Sequence, residues 1–182
     1  MPPALFLSPD NPRTIKGMMI DCHVHVRDLE SVDQLEDIRR YVGAERMGIV
    51  SVFYRHCINM NPASLVAKAK YPESFYLFLG LDHTAYFSHG KINPPSLVEQ
   101  VNRAITMGAD GIKMLENKPT HRKLVDIPID DPYFEDYFSH VERLGIPIVW
   151  HVADPEEFWD PATTPKWAAD KGWGYDETCM VS

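Results

Sequence analysis

The chain has 182 residues, 45% of them hydrophobic, with 26 acidic against 18 basic side chains and a formal net charge of −8. That length and apolar share support one packed domain and exclude a disordered chain, while the acidic balance excludes a general nucleic-acid binder, which needs a basic footprint. No apolar run approaches a membrane span, and three cysteines in no metal-like pairing, behind an N-terminus without a secretory leader, point to a reducing cytoplasm.

Residues 1–17 read as an N-terminal extension, and Met18 to Val26 as the first strand. That strand ends in His23 and His25. A strand alternates its side chains with a period of two, so both imidazoles project to one side, a few ångströms apart. Such a pair is a seat for zinc or a similar divalent ion. Cys22 alternates with the histidines and is expected to face away from them, into the core. Ser31 to Ala44 reads as a helix, with Val32, Leu35, Ile38 and Val42 at three- and four-residue spacing. Asp33, Glu36, Arg39 and Arg40 are the polar residues between them, and Gly43 ends the helix. Arg46 to Tyr54 is the second strand, followed by Arg55 and His56. Pro62 to Lys70 is a short helix entered through Asn61-Pro62. Ser74 to Leu81 is the third strand, followed directly by Asp82 and His83, which read either as substrate-contacting residues or as plain surface loop residues.

Ser96 to Met107 is a helix stopped by Gly108. Asp110 to Leu115 is the fourth strand, and it holds Lys113 inside an apolar run. A free cation is expensive to bury there. Three readings stand: a lysine paired with a carboxylate such as Glu116, a catalytic lysine of lowered pKa, and a carboxylated lysine bridging two metals. Asp131 to Leu144 is a helix capped by Asp131 and closed by Gly145. Long loops follow strands two, three and four. Ile146 to Val152 is the fifth strand and carries His151, with Asp154 just beyond. Alone, His151 reads as a hydrogen-bonded core residue; with His23 and His25 it supplies the third nitrogen of an open catalytic zinc site. Thr163 to Lys171 reads as a last helix and 172–182 as an irregular tail. His89, His121 and His140 read as loop or helix-face residues, and Trp150, Phe158, Trp159, Trp167 and Trp173 as packing residues, with a pocket lining as the alternative for some of them.

Strands alternating with helices imply parallel strands joined by helical crossovers. The first βα turn, His23-Val24-His25-Val26-Arg27-Asp28, has no glycine, which weighs against a dinucleotide crevice. Polar residues collect at strand ends, where barrel enzymes build their sites. The expected fold is therefore a (β/α)8 TIM-barrel type, as a single domain over 1–182. It is incomplete, with about five βα units, because a whole barrel needs about 250 residues.

The segments Ile20-Asp21-Cys22-His23-Val24-His25, Gly111-Ile112-Lys113 and Pro147-Ile148-Val149-Trp150-His151 together resemble the amidohydrolase superfamily. The nearer likeness is to its amidohydrolase-related branch, which includes decarboxylases. The match runs from about residue 18 to 155. The resemblance implies that His23, His25 and His151 bind a divalent metal, zinc or manganese. It places Lys113 where some members carry a carboxylated, metal-bridging lysine. The family also uses a histidine after strand six and an aspartate after strand eight, and nothing here matches either.

The implied function is hydrolysis of an amide, ester or lactone of a small molecule by metal-activated water, with Lys113, Asp82 and His83 as catalytic candidates. Two alternatives stay open: a metal-dependent decarboxylase of a small aromatic acid, and a non-catalytic, truncated barrel fragment. An open half-barrel exposes strand edges, so a homo-oligomer is expected. Neither nucleic acid nor membrane is an expected partner.

Overall fold

A computed structural model of the chain describes residues 19–52, 60–84, 95–125 and 127–175. The strands are β1 (Ile20–Val24), β2 (Arg46–Val50), β3 (Phe75–Gly80), β4 (Gly111–Met114) and β5 (Ile148–Trp150). They form one sheet in the order β1-β2-β3-β4-β5, and every neighbouring pair is parallel. A doubly wound sheet would reverse its strand order at a switch point; this one never does. The sheet is a curled half-barrel of five βα units. Because all strands run one way, their C-terminal ends gather at one end of the sheet.

The helices are α1 (Ser31–Val42), α2 (Asn61–Lys70), α3 (Leu97–Thr106), α4 (Pro119–Val125), α5 (Glu135–Leu144) and α6 (Lys166–Ala169). Gly43, Gly108 and Gly145 close α1, α3 and α5 with φ of 72°, 94° and 65°, a region that favours glycine. Ser96 and Glu99 form a reciprocal capping box at the start of α3. The Asn61 side-chain amide pairs with both backbone groups of Gly80, fixing the start of α2 against the end of β3. Phe75, Leu77 and Leu79 are buried on β3, with half-buried Tyr76 and Phe78 between them. Met47, Ile49, Ile112 and Met114 continue the core on the flanking strands. Each such burial contributes about 1.5–3 kcal/mol.

Several expectations need correction. Only the first half of the Val32–Leu35–Ile38–Val42 stripe of α1 faces inward, with Val32 buried and Leu35 packed on the core while Ile38 and Val42 are exposed. Glu36 is 2% exposed, whereas Ile38 is 46% exposed. Ion pairing decides this. Arg39 and Arg40 both donate to the Glu36 carboxylate, and Arg39 also bonds the carbonyls of Ala44 and Glu45, tying the helix to the turn before β2. The Arg39 bonds lead in holding Glu36 down to about 2, against its desolvation. Cys22 is exposed rather than in the core, because β1 pairs with β2 alone among the described residues.

The segment after β4 is not simply a loop. It forms α4, opened by Pro119, whose seven residues carry too little apolar periodicity to be read as helix. The turn Pro132–Phe134 is a 3-10 helix leading into α5, with the Asp131 side chain accepting from the Tyr133 N–H. Thr163 to Lys171 yields only the single turn α6, entered after Pro165. Arg55, His56, His89 and Cys57 lie outside the described residues.

Candidate functional site

His23 is the penultimate residue of β1 and His25 follows its end, in a stretch where the pairing with β2 shifts register between Asp21 and Val24. Their rings meet edge to face with centroids 5.1 Å apart. His25 Nδ1 lies 2.7 Å from the Val50 carbonyl oxygen. A carbonyl only accepts, so Nδ1 carries the proton and Nε2 keeps its lone pair. Partial burial lowers the pKa of both imidazoles, and the neighbouring Lys113 and His151 charges push the same way. Both rings are thereby biased toward the neutral, ligating form.

Lys113 stands in the middle of β4 and is 2% exposed. Its Nζ is buried without a hydrogen-bond partner. Burial pushes it down to about 8, against the opposing pull of Glu116. Its pairing with Glu116 is thus electrostatic rather than a hydrogen bond. This has a measurable consequence. Unfolded, Lys113 holds its proton to the ordinary 10.5; folded, only to about 8. Between those values the unfolded chain binds more protons, so stability rises with pH across that window. Lys113→Met is expected to remove that rise. Urea denaturation of both proteins from about pH 7.5 to 10.5 checks it; parallel curves would refute the assignment.

His151 follows β5. Its Nε2 lies 3.0 Å from Asp154 Oδ1. Asp154 also receives Lys118 Nζ at 2.9 and 2.6 Å and the Tyr175 hydroxyl. Burial alone would raise the Asp154 carboxyl, but the bonds from His151, Lys118 and Tyr175 outweigh it and hold it well below the usual carboxylate range.

One cavity of about 710 Å³ takes in His23, His25, His151 and Lys113. The predicted metal residues are therefore brought together at the C-terminal end of the strands. Asp82 and His83 are placed elsewhere. Asp82 caps the next turn through Thr84 and lines a separate groove between α3 and α5. His83 is buried, its Nε2 2.7 Å from Glu116 Oε1 and its Nδ1 3.2 Å from the Tyr133 hydroxyl. The cavity also takes in Arg27, Lys118, Thr120 and Lys171, which sequence reading left out, together with His121, Trp167 and Trp173. Lys118 meets Asp154 across 36 positions, a contact no local pattern announces. His140 is a structural bridge, bonded to Asn102 of α3 and Arg143 of α5.

The described residues offer two adjacent imidazoles of lowered basicity and a third lining the same cavity, nitrogen donors of the kind zinc takes. Among the described residues, no three His, Cys, Asp or Glu side chains are already gathered as a metal-holding group. His23 and His25 meet ring to ring, and His151 is bonded to Asp154. No described helix is long and apolar enough to cross a membrane.

A parallel half-barrel with a histidine and lysine cavity at its strand ends is the class of protein these features define. Comparison with solved structures agrees on the fold. The chain is similar to a probable 2-pyrone-4,6-dicarboxylic acid hydrolase from Acinetobacter baumannii, solved with citric acid bound. The two share 18% identity and a TM-score of 0.54, over 73% of this chain and 49% of that one. It is also similar to an amidohydrolase II, at 15% identity and a TM-score of 0.53, over 81% of this chain and 53% of that one. The chain spans about half the length of the solved structures it matches. No protein-family model and no curated protein matches the sequence.

Proposed function

We propose that this chain carries the metal-binding half of a hydrolase of the amidohydrolase type, acting on an amide, ester or lactone of a small molecule. The observation that carries this reading is the single cavity shared by the His23–His25 pair, His151 and Lys113 at the C-terminal end of a parallel half-barrel. His23, His25 and His151 would hold a zinc or manganese ion. When bound, such an ion acidifies water and polarises a carbonyl. Val50 orients His25 by accepting its Nδ1 proton, and the burial of Lys113 keeps a lysine nitrogen without a partner against the same cavity. The likeness to a structure described as a probable dicarboxylic acid hydrolase supports the reading.

A lactone, ester and amide panel, run on the zinc-loaded and manganese-loaded chain, tests it. The expected result is hydrolysis of one class that disappears on chelation and in His23→Ala. Metal bound with no turnover of any class would overturn it and leave a non-catalytic barrel fragment.

A second reading has its own support. Arg27, Lys113, Lys118 and Lys171 line the cavity against one carboxylate, Asp154, in a chain of net charge −8. Such a lining suits a substrate carboxylate, and a metal-dependent decarboxylase of a small aromatic acid would use it. Release of carbon dioxide from aromatic acids, without hydrolysis of the panel, would favour this alternative.

A further inference from the structure

Asp154 is the most heavily engaged side chain around the cavity. It is 7% exposed, and both oxygens are occupied. Oδ1 meets His151 Nε2 and Lys118, and Oδ2 meets Lys118 and the Tyr175 hydroxyl. Its three donors come from three places. His151 follows β5, Lys118 precedes α4, and Tyr175 is buried in a small aromatic core with Phe158 and Ala168. A carboxylate gripped from three sides is a poor candidate for a ligand of its own. It is well placed to orient the ring it touches, because a ligating histidine usually gives its other N–H to a carboxylate or carbonyl.

We infer that Asp154 is a positioning residue: by accepting the Nε2–H of His151 it leaves Nδ1 as the atom His151 presents to the cavity, with Lys118 and Tyr175 holding Asp154 in that role. The inference rests on reading His151 as a ligand of the proposed site. Its geometric content is independent of that reading. His25 is protonated at Nδ1 by its bond to the Val50 carbonyl, whereas His151 is protonated at Nε2 by its bond to Asp154. The two rings are opposite tautomers, each fixed by the partner of its outer nitrogen. The segment that carries Tyr175 also lines the cavity with Trp167 and Trp173, so its docking and the orientation of His151 are joined through one carboxylate.

The test is a long-range proton–nitrogen NMR spectrum of the full, metal-free chain at about pH 8, above the ordinary imidazole range. Signals are assigned through His25→Ala and His151→Ala. The expected spectrum shows His25 as the Nδ1–H form and His151 as the Nε2–H form. In Asp154→Ala, His151 is expected to become a mixture of both forms while His25 is unchanged. Zinc affinity is expected to fall about 10–100-fold with the stoichiometry unchanged. Tyr175→Phe keeps the Lys118–Asp154 pair and should give a smaller change in the same direction. A wild-type His151 in the Nδ1–H form would overturn the inference, and so would an unchanged tautomer in Asp154→Ala. Should Asp154→Ala fail to fold, the wild-type and Tyr175→Phe spectra decide. Wild-type chain that binds no zinc would overturn the metal reading, and the metal-free spectrum would still decide the role of Asp154.

Discussion

Replacing either His23 or His25 with alanine is expected to lower zinc affinity by more than the roughly 10–100-fold that loss of an outer partner costs. These two are the most closely approached imidazoles of the cavity, 5.1 Å between ring centroids. Both lie at the end of β1, which pairs with β2 alone among the described residues, and neither is in the core, so their removal opens no core cavity. His25→Ala gives up one hydrogen bond to the Val50 carbonyl, worth about 1 kcal/mol. Stability should therefore hold nearly constant while metal affinity collapses, which separates a ligand from a structural residue. Elemental mass spectrometry gives the metal content, and competition with a colorimetric chelator gives the affinity. Both variants binding zinc as tightly as the parent chain would remove the histidine pair from any metal site.

Gly111→Ala is expected to be the most damaging small substitution in the sheet. An added Cβ would lie 2.4 Å from the Pro147 carbonyl oxygen and 2.8 Å from two ring carbons of Phe78. The backbone oxygen cannot yield without moving a strand, and the half-buried Phe78 ring would have to turn away. The Pro147 carbonyl accepts the Ile112 N–H at 3.1 Å, a bond of the β4–β5 ladder, and Phe78 is the register partner of Gly111 on β3. A methyl there forces β4 away from β3, from β5, or from both. The expected cost lies at or beyond the upper end of the about 1–3 kcal/mol of ordinary overpacking. Gly174→Ala is the matched control, since its Cβ would meet Thr164 at an ordinary 3.5 Å. Urea denaturation read by circular dichroism compares the two. A Gly111→Ala midpoint equal to that of the parent chain would show that the β4–β5 junction is looser than its contacts imply. The same strand pair carries Lys113 and leads to His151, so the variant should also lose metal affinity.

How far the sequence reached follows from the range of each interaction. A two-residue period predicted His23 and His25 on one side, and their rings do meet at the end of β1, although β1 stops at Val24 and its register shifts just before. The rhythm of strands and helices, with glycines at the helix ends, announced five parallel strands and the half-barrel they build. Lys113 announced itself by its apolar neighbours.

Long-range pairing was out of reach. Glu36 lies inside because Arg39 and Arg40 neutralise it, a balance of desolvation and charge that apolar spacing along α1 does not record. Cys22 is exposed because β1 has β2 as its one partner among the described residues, and partners are set only once the sheet is assembled. Asp82 and His83 are adjacent in sequence, yet one caps a surface turn and the other is buried against Glu116. Asp154, Lys118 and Tyr175 converge across 36 and 21 positions. The sequence by itself determined the local periods, and with them the strands, the helix ends and the histidine pair. Only the tertiary structure decided which charges are buried, which partner neutralises each, and which ring nitrogen each histidine leaves open. Those outcomes depend on desolvation and on distances between residues far apart in the chain.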